Sequence, residues 1–398
     1  MQKRILVPNG SYTEIRLIEA YKKMGLYVIT SGNAPELEGH KYADEYVCHD
    51  YSDYEGMLEI AKEKNIDYVS TCANDFGVIT AAYIAEKMGL PGHDSFETTR
   101  TIAEKDRFKE FAQKNGLLVI PSAGFHDPES AIAYAQYAEY PIIVKPTDLT
   151  GGKGVSRADS FEEAKTAIRA AFARSKAKNI VIEPFIEGSQ HSFCAFVVDG
   201  KVASYASYNE YGSPNDPYLV GYTSSPVDNL SEIAGIMTQQ IETMADLLKL
   251  NDGIFHIQYR MHHGKPLIME CMRRCLGNHA LLSASIQSNF NWEQWQAKAH
   301  CGMDCSQIPP AATTPKFISE YYIQSTSNGI VKNVTIDPSL QPYIHTSIMQ
   351  WQPGMSITNY AVDKLGFLFF QFPTAEIQNH FCRQFTKLIQ VEMETDNA

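Results

Sequence analysis

The sequence predicts an α/β N-terminal domain with a parallel sheet, followed by α+β domains with antiparallel sheets. Short apolar runs alternate with helix-length segments through roughly the first hundred residues. This alternation is typical of a parallel sheet covered by helices on both faces. Later in the chain, apolar runs meet across tight turns such as Asp199-Gly200. Such turns are typical of β-hairpins and therefore indicate antiparallel sheets.

The elements of the first domain follow from capping signals and periodicity. Ser11 and Glu14 form a capping box for a helix that ends at Gly25, and Gly89 closes a helix rich in small residues. The predicted elements are a strand at 4–8, the helix after Ser11, a strand at 27–30, a helix near 54–64, a strand at 66–70 and a helix at 75–88. No G-x-G-x-x-G follows the first strand, which argues against a nicotinamide site.

Four polar or small residues follow the strands of the first domain at their carboxyl ends, where ligands of parallel sheets bind. They are Asn9, Gly10, Asn74 and Asp75. Contact with a substrate and ordinary turn chemistry are both consistent with them.

The later elements follow from the same kinds of signal. We expect a helix at 98–115, a helix opened by Asp127-Pro128, and a helix at 161–175 opened by a capping box of Ser160 and Glu163. A further helix is expected at 231–250, and a last one near 374–390. The predicted strands lie at 141–145, 179–186, 192–208 (a hairpin), 253–260 and 266–272.

Composition excludes several classes of function. The formal net charge of −12 provides no general basic field for nucleic acid or an anionic membrane. The chain has no signal-peptide pattern and no apolar run near the roughly 20 residues of a membrane span. Without an export signal, we interpret the eight cysteines as reduced thiols of a cytoplasmic protein.

Zinc remains an alternative for some of the cysteines, although buried small side chains explain them better. Their spacing by four, with histidines nearby, would align them on a helix, but no C-x-x-C pair is present. The residues concerned are Cys271, Cys275, His279, His300, Cys301 and Cys305.

The segment "TGGKGV" (150–155) has the chemistry of a phosphate loop. Gly151, Gly152 and Gly154 permit positive φ, and successive amides of such a turn form a concave anion nest. Lys153 adds a mobile charge, and Lys145 lies eight residues earlier on the preceding predicted strand. The Walker A spacing is absent. Taken alone, the segment fits a glycine hairpin with solvated lysines equally well.

Two downstream segments complete a nucleotide-binding set. In "VIEPFIEG" (181–188), Glu183 ends an apolar strand, and Phe185 and Ile186 offer apolar cover and backbone amides for an adenine. In the predicted strand pair near 253–272, alternation places Gln258 on one face of its strand, and Glu270 lies late on the other strand.

Lys105, Lys145, "TGGKGV", "VIEPFIEG" and Glu270 with Arg274 occur in the order found in the ATP-grasp superfamily. Over roughly residues 1–310 the chain resembles its carboxylate–amine ligases, including the biotin carboxylase, glycinamide ribonucleotide synthetase and L-amino acid ligase branches. The resemblance implies ATP-grasp domains arranged as four units. These are an N-terminal domain (1–105), a small lobe with a Gly-rich lid (106–187), a large lobe (188–310) and a C-terminal subdomain (311–398).

The resemblance also implies roles for individual residues. Lys105 and Lys145 resemble the lysines that hold the ATP phosphates. Gly151, Gly152, Lys153 and Gly154 resemble the lid. Glu183 resembles the acid that meets the adenine amino group, and Phe185-Ile186 resembles the hinge. Glu270 resembles a magnesium ligand. Arg274 resembles the arginine that stabilises charge during catalysis, with Lys153 assisting.

The chain departs from the family pattern at three positions. Gln258 stands where the first metal-binding acid is usual, and Met272 stands where asparagine is common. Gln190, followed by His191, replaces the acid that binds ribose, although both side chains can hydrogen-bond a hydroxyl. Three interpretations follow: Mg²⁺ bound by Glu270 with Gln258 and water, substitution by a neighbour such as Glu187 or Asp252, or nucleotide binding without chemistry.

We therefore predict an ATP-dependent ligase that joins a carboxylate to an amine through an acyl phosphate. ATP and Mg²⁺ are the expected cofactors, with one or two ions and Mn²⁺ as an alternative metal. The partners are small-molecule substrates rather than nucleic acid or membrane, and a homodimer stays open. The alternatives are a nucleotide-binding regulatory protein of the same fold and a carboxylating or purine-type synthetase.

Two further segments are rich in aromatic residues. A tyrosine-rich stretch fits either an acceptor pocket or a sheet edge; it contains Tyr205, Tyr208, Tyr211, Tyr218 and Tyr222. "FLFFQF" (367–372) is better explained as a buried strand than as an interface.

Overall fold

A four-stranded parallel sheet organises the N-terminal domain of the computed structural model, which describes residues 2–149 and 152–394. Its strands are β1 (Arg4–Pro8), β2 (Tyr27–Gly32), β3 (Glu45–Cys48) and β4 (Tyr68–Val69), in the order β3-β2-β1-β4. Its helices are α1 (Ile15–Lys23), α2 (Tyr54–Glu63), α3 (Asp75–Met88) and α4 (Phe96–Ala103), with 3₁₀ turns at Tyr12–Glu14 and Glu38–Tyr42.

Local sequence signals fix the helix ends of this domain. The Ser11 amide donates to Glu14 Oε2 over 2.9 Å, and the Ser11 side chain accepts from the first turn, as the capping box predicts. Gly89 ends α3 in the left-handed conformation at φ 66°. The parallel sheet predicted from the alternation of strands and helices is therefore present.

The next unit is a small antiparallel sheet, preceded by a helix. Helix α5 (Lys105–Lys114) is followed by β5 (Ala123–Phe125), α6 (Pro128–Ala135), β6 (Ile142–Pro146), β7 (Ser156–Ala158), α7 (Phe161–Arg174) and β8 (Ile180–Pro184). The strand order is β5-β8-β6-β7. The helix predicted at 98–115 is in fact two helices, because Glu104 between α4 and α5 is extended, with ψ 115°.

Eight antiparallel strands form the large sheet. Its first part consists of β9 (Gln190–Val198), β10 (Lys201–Gly212), β11 (Val220–Ser225), β12 (Gly253–His262) and β13 (Lys265–Met272). Helices α8 (Leu230–Leu248), α9 (Ala280–Ser288) and α10 (Trp292–His300) accompany these strands.

The C-terminal segment continues the same sheet. It contains β14 (Phe317–Ile323), β15 (Gly329–Ile336), a 3₁₀ turn at Pro338–Tyr343, β16 (Ile344–Met349), β17 (Ser356–Ile357), β18 (Gly366–Phe372), α11 (Ala375–Cys382), α12 (Phe385–Leu388) and β19 (Ile389–Met393). The large sheet runs β13-β12-β9-β10-β11-β14-β18-β16, and β17-β15-β19 form a separate small sheet. Pairing of β11 with β14 therefore crosses the domain boundary predicted near residue 310.

Two expectations for this segment have clear outcomes. The single helix predicted near 374–390 is wrong: α11 and α12 are short, and the chain then pairs with β15 as a strand. Phe367, Phe369 and Phe370 are fully buried in β18, which confirms a buried strand rather than an interface.

The two faces of the large sheet have different partners. One face shares a core with the N-terminal domain and α10, through residues such as Val7, Phe196 and Trp292. The other face packs against α5 and α8, through Phe108, Phe193 and Met237. The small sheet has its own core beneath α6 and α7. No helix within 2–149 and 152–394 has the length and apolar character needed to cross a membrane.

Candidate active site

A buried carboxylate on the small sheet links two lysines. Glu183, near the end of β8, lies with Oε2 2.7 Å from the Lys145 ammonium and Oε1 2.9 Å from that of Lys109. Lys145 comes from the neighbouring strand β6, and Lys109 comes from α5. Burial opposes ionisation of Glu183, but the two lysines outweigh it and hold the pKa of the carboxyl below its ordinary value.

Lys109 was missed in the sequence, although it lies four residues after Lys105 and hence on the same helical face. Only 2% of it is exposed, and its ammonium also donates to the Ile120 carbonyl over 3.1 Å. Burial lowers the pKa of Lys109 to about 8, and Glu183 opposes that shift. The Lys109 ammonium therefore pairs with the buried Glu183 carboxylate, whereas Lys145 and Lys105 remain the candidates for binding phosphate.

Lys105 and Glu270 approach each other between the lobes. Lys105 is the first residue of α5, and its ammonium lies 3.4 Å from Glu270 Oε2 on β13. It also donates to the Leu149 carbonyl over 3.0 Å, just before the Gly-rich segment. A cation suited to phosphate therefore adjoins a carboxylate suited to a hard metal ion.

The Gly-rich segment joins β6 to β7, as predicted. Gly152 and Gly154 take φ of 77° and 76°, which favours glycine, and Lys153 between them is exposed. A Cβ on Gly152 would lie 2.4 Å from the Tyr218 carbonyl oxygen, so the turn touches the loop after β10. Gly151 lies outside the described residues.

The predicted adenine hinge needs one correction. The Phe185 amide donates to the Pro141 carbonyl over 2.9 Å, so it is not free for a base. This bond extends the pairing of β8 with β6, which the sequence did not reveal. The Phe185 ring instead meets the guanidinium groups of Arg157 and Arg260, at 4.3 and 5.6 Å from its centroid. A backbone donor to adenine would therefore come from Ile186 or beyond.

Gln190 and His191 line an open cleft of about 620 Å³ beside the Gly-rich turn. Glu210, Tyr218 and Arg260 also line it, whereas Lys145 and Glu183 lie outside it. His191 bonds Ser189 Oγ over 2.6 Å through Nε2 and stacks on Tyr259. The cleft is polar enough for a sugar and covers one part of the predicted nucleotide site.

Glu270 and Gln258 are paired directly across β13 and β12, so both side chains face the same side of the sheet. A bulge follows Gln258. The Gln258 amide donates to Glu210 Oε2 over 2.8 Å, and so does the amide of Gln190. Glu210 on β10 is a carboxylate that sequence reasoning missed, because 48 residues separate it from Gln258.

The proposed substitutes for the missing acid make no hydrogen bond or ion pair with Gln258 or Glu270 among the described residues. Asp252 instead accepts a hydrogen bond from the Asp199 amide at the far end of the sheet. The Glu187 side chain is exposed. Among the described residues no group of three or more His, Cys, Asp or Glu side chains could hold a metal. The donor set of one carboxylate and one amide oxygen fits a Mg²⁺ ion that takes its other ligands from phosphates and water.

Arg274 is buried at the junction of the large sheet and the N-terminal domain. Its Nε lies 2.5 Å from Asp75 Oδ1, at the start of α3. Its Nη2 donates to Met272 Sδ over 3.0 Å, so the residue at the usual asparagine position contacts the arginine. Both ring nitrogens of nearby buried His256 lack a hydrogen-bond partner among the described residues, and burial lowers its pKa to about 3.

Asn9 and Asn74, which are consistent with substrate contact or with turn chemistry, have partners within the fold. The Asn9 amide donates to Glu14 over 3.0 Å, and the Asn74 side chain caps α3.

The five tyrosines of the tyrosine-rich stretch do not form one pocket. Tyr211 stacks on Tyr222, and Tyr205 stacks on Phe193. Of the five, only Tyr211 and Tyr218 line the cleft. Cys271 and Cys275 are buried, and burial raises the pKa of both thiols.

Comparison with known proteins places this site in context. A family model described as "Phosphoribosylglycinamide synthetase, ATP-grasp (A) domain" matches residues 103–213. A phosphoribosylamine–glycine ligase from Vibrio vulnificus is 30% identical over 220 residues, covering 50% of this chain and 49% of the relative. The chain thus spans about half the length of this curated relative.

Solved structures are similar over nearly the whole chain. An L-amino acid ligase from Bacillus licheniformis has a TM-score of 0.82 at 19% identity, covering 99% of each chain. The biotin carboxylase domain of a 2-oxoglutarate carboxylase from Hydrogenobacter thermophilus, solved with MgADP and bicarbonate, has a TM-score of 0.79 at 18% identity, covering 98% of this chain and 91% of that one. At these identities the likeness shows a shared fold.

Proposed function

We propose that the chain belongs to the ATP-grasp superfamily and that it is an ATP-dependent ligase that joins a carboxylate to an amine through an acyl phosphate. The observation that carries the proposal is the approach of Lys105 to Glu270, 3.4 Å apart between the lobes. Phosphoryl transfer requires positioning and neutralisation of charge rather than a protein nucleophile. A phosphate-binding cation beside a metal-binding carboxylate meets that requirement.

The chain's own residues would divide the work of binding. Lys105 and Lys145 would neutralise phosphate oxygens, and the amides of the Gly-rich turn would close over them. Lys153, exposed on that turn, would reach in from the lid side. Glu270 and Gln258 would hold Mg²⁺, and the chemistry that the ion would supply is neutralisation of phosphate charge.

The bond changes balance without any further reactant. A carboxylate oxygen of the first substrate attacks the γ-phosphorus, the bond from that phosphorus to the ADP oxygen breaks, and ADP leaves. The nitrogen of the neutral amine then attacks the acyl carbon. The carbon–oxygen bond to phosphate breaks, phosphate departs, and the nitrogen loses a proton to solvent or phosphate.

Arg274 would stabilise the oxyanion of the second step. Its guanidinium is 8% exposed and held by Asp75 through Nε, so its direction is fixed before any substrate arrives. Preorganised donors of this kind are worth about 10²–10³ in kcat. Asp75 would act as a positioning residue, because it touches the arginine rather than the reacting atoms.

The test is a screen of carboxylate and amine pairs, including amino acids and sugar acids, for phosphate release from MgATP. Hydroxylamine in place of the amine traps an acyl phosphate as a hydroxamate, so the first step is read without knowing the acceptor. We expect carboxylate-dependent hydroxamate. ATP binding without turnover in any mixture would instead support the regulatory alternative, and turnover dependent on bicarbonate would support a carboxylating enzyme.

A matched pair of variants connects the activity to the site. Lys105→Ala removes the ammonium beside Glu270 and should weaken MgATP binding by about 10-fold or more, as loss of a charge-assisted contact predicts. Lys114→Ala removes an exposed lysine from the same helix and should leave binding unchanged. Equal binding by both variants would contradict the proposed phosphate site.

A further inference from the structure

Two glutamines of this site donate hydrogen bonds to one oxygen of a single carboxylate. Gln258 Nε2 and Gln190 Nε2 each lie 2.8 Å from Glu210 Oε2. Glu210 is on β10, Gln190 is its direct partner on β9, and Gln258 reaches across β9 from β12. These are the two positions at which the family resemblance leads us to expect acids. A carboxyl group is therefore present on a third strand; burial raises its pKa, and the hydrogen bonds from Gln190 and Gln258 oppose that shift.

The chemistry of the groups fixes the orientation of the Gln258 amide. Glu210 Oε2 accepts a hydrogen bond from each of the two amides, and a primary amide has a donor end and an acceptor end. The NH₂ end of Gln258 must therefore face Glu210, and its carbonyl oxygen must face away from it. Without that partner, either end of the amide could face the metal position beside Glu270. Mg²⁺ binds oxygen and would be repelled by the NH₂ end.

Gln190 and the local backbone hold this arrangement in place. The bond from Gln190 comes from the adjacent strand and restrains the Glu210 side chain. The bulge immediately after Gln258 disturbs the ladder, and bulges commonly re-aim side chains next to active sites. Direct pairing of Gln258 with Glu270 then puts the amide and the carboxylate side by side on one face.

We propose that Glu210 is a positioning residue that makes the Gln258 carbonyl oxygen a ligand for Mg²⁺ beside Glu270. The proposal rests on the proposed function, since it concerns the metal of the same site. It explains how a chain with glutamine at this position retains a hard-oxygen metal site. Outer partners of this kind typically change metal affinity by about 10–100-fold when they are removed.

The experiment measures Mn²⁺ binding in the presence of saturating ADP, by the loss of the free-ion electron paramagnetic resonance signal, and needs no substrate or turnover. Glu210→Gln offers both a donor and an acceptor, so either orientation of the Gln258 amide finds a partner, and Mn²⁺ binding should weaken by about 10–100-fold. The double variant Glu210→Gln with Gln258→Glu places a carboxylate at the metal, held by the new amide, and should bind within about threefold of wild type. Glu187→Gln, which removes an exposed carboxylate of the same region, is the matched control and should bind like wild type.

Three outcomes would overturn the proposal: Glu210→Gln binding within about twofold of wild type, the double variant binding as weakly as Glu210→Gln, or the control losing as much affinity. If Glu210→Gln does not fold, Glu210→Asp replaces it, because the shorter carboxylate cannot hold both amides and should weaken binding within the same range. Failure of wild type to bind Mn²⁺ with ADP would contradict the nucleotide site itself. Normal wild-type binding with an unaffected Glu210→Gln would contradict the role of Glu210 alone.

Discussion

The carboxylate shared by Lys109 and Lys145 offers a sharp test of the small lobe. Glu183→Gln keeps the size of the side chain but leaves two ammonium groups, formerly 2.9 and 2.7 Å from its oxygens, without a counter-charge. Removing one partner of a buried ion pair costs about 3–5 kcal/mol, because the remaining charge stays buried. We expect a loss of that size in the free energy of unfolding near pH 6.

The stability loss of Glu183→Gln should depend on pH, and the reason is the pKa of Lys109. Its pKa in the folded protein is about 8, below the ordinary 10.5, because burial disfavours the ammonium. A lowered lysine pKa makes the folded state bind fewer protons than the unfolded chain between these two values, so stability rises with pH there, by about 3 kcal/mol in all. Without Glu183 the pKa of Lys109 falls further. The deficit of Glu183→Gln should therefore shrink as the pH rises from 6 toward 8.

Guanidinium unfolding of wild type, Glu183→Gln and Lys109→Met near pH 6 and pH 8 measures this effect. Lys109→Met is the control, because Glu183 keeps Lys145 and the buried ammonium is gone; we expect a change of at most about 1 kcal/mol. Equal losses in the two variants, or a Glu183→Gln deficit independent of pH, would refute the reasoning.

Two further predictions concern the proposed lid and Arg274, the arginine proposed to act in catalysis. Gly152→Ala forces a side chain into positive φ and to within 2.4 Å of the Tyr218 carbonyl oxygen. The affinity for ADP, measured by calorimetry, should therefore fall several-fold. Gly116→Ala is the control, because it has the same φ penalty with open space around it, and it should leave the affinity for ADP unchanged. Arg274→Lys keeps a cation beside Asp75 but loses the planar guanidinium, so kcat should fall about 10²-fold while the Kd for MgATP stays within about threefold. An equal loss of kcat and ATP affinity would contradict the assigned role of Arg274.

Local signals made much of the fold predictable from the sequence. Ser11 with Glu14, Asp127 with Pro128, and Gly89 mark helix ends through contacts within a few residues. The order of lysines, glycines and acids along the chain gave the resemblance to the ATP-grasp superfamily, and the likeness to solved structures agrees with it at the level of the fold. Tertiary context decided the failures: the C-terminal helix predicted to reach 390 ends early because the chain from Ile389 pairs with β15.

The parts of the site that escaped prediction depend on long-range pairing. Lys109 meets Glu183 from 74 positions away, Glu210 meets Gln258 from 48, and Asp75 meets Arg274 from 199. No local pattern identifies such partners, since an exposed and a buried charge look alike in a sequence. The departure at Gln258 was visible, but the carboxylate that accompanies it became visible only when β9, β10 and β12 were placed side by side.

Oxygen transfer from the carboxylate substrate to phosphate tests the central claim most directly. The protein is incubated with MgATP, the amine and a carboxylate labelled with ¹⁸O, and the released phosphate is analysed by mass spectrometry. The proposed acyl phosphate predicts that one labelled oxygen of the carboxylate leaves with each phosphate. Phosphate free of label, with the amide formed or ATP merely hydrolysed, would contradict it.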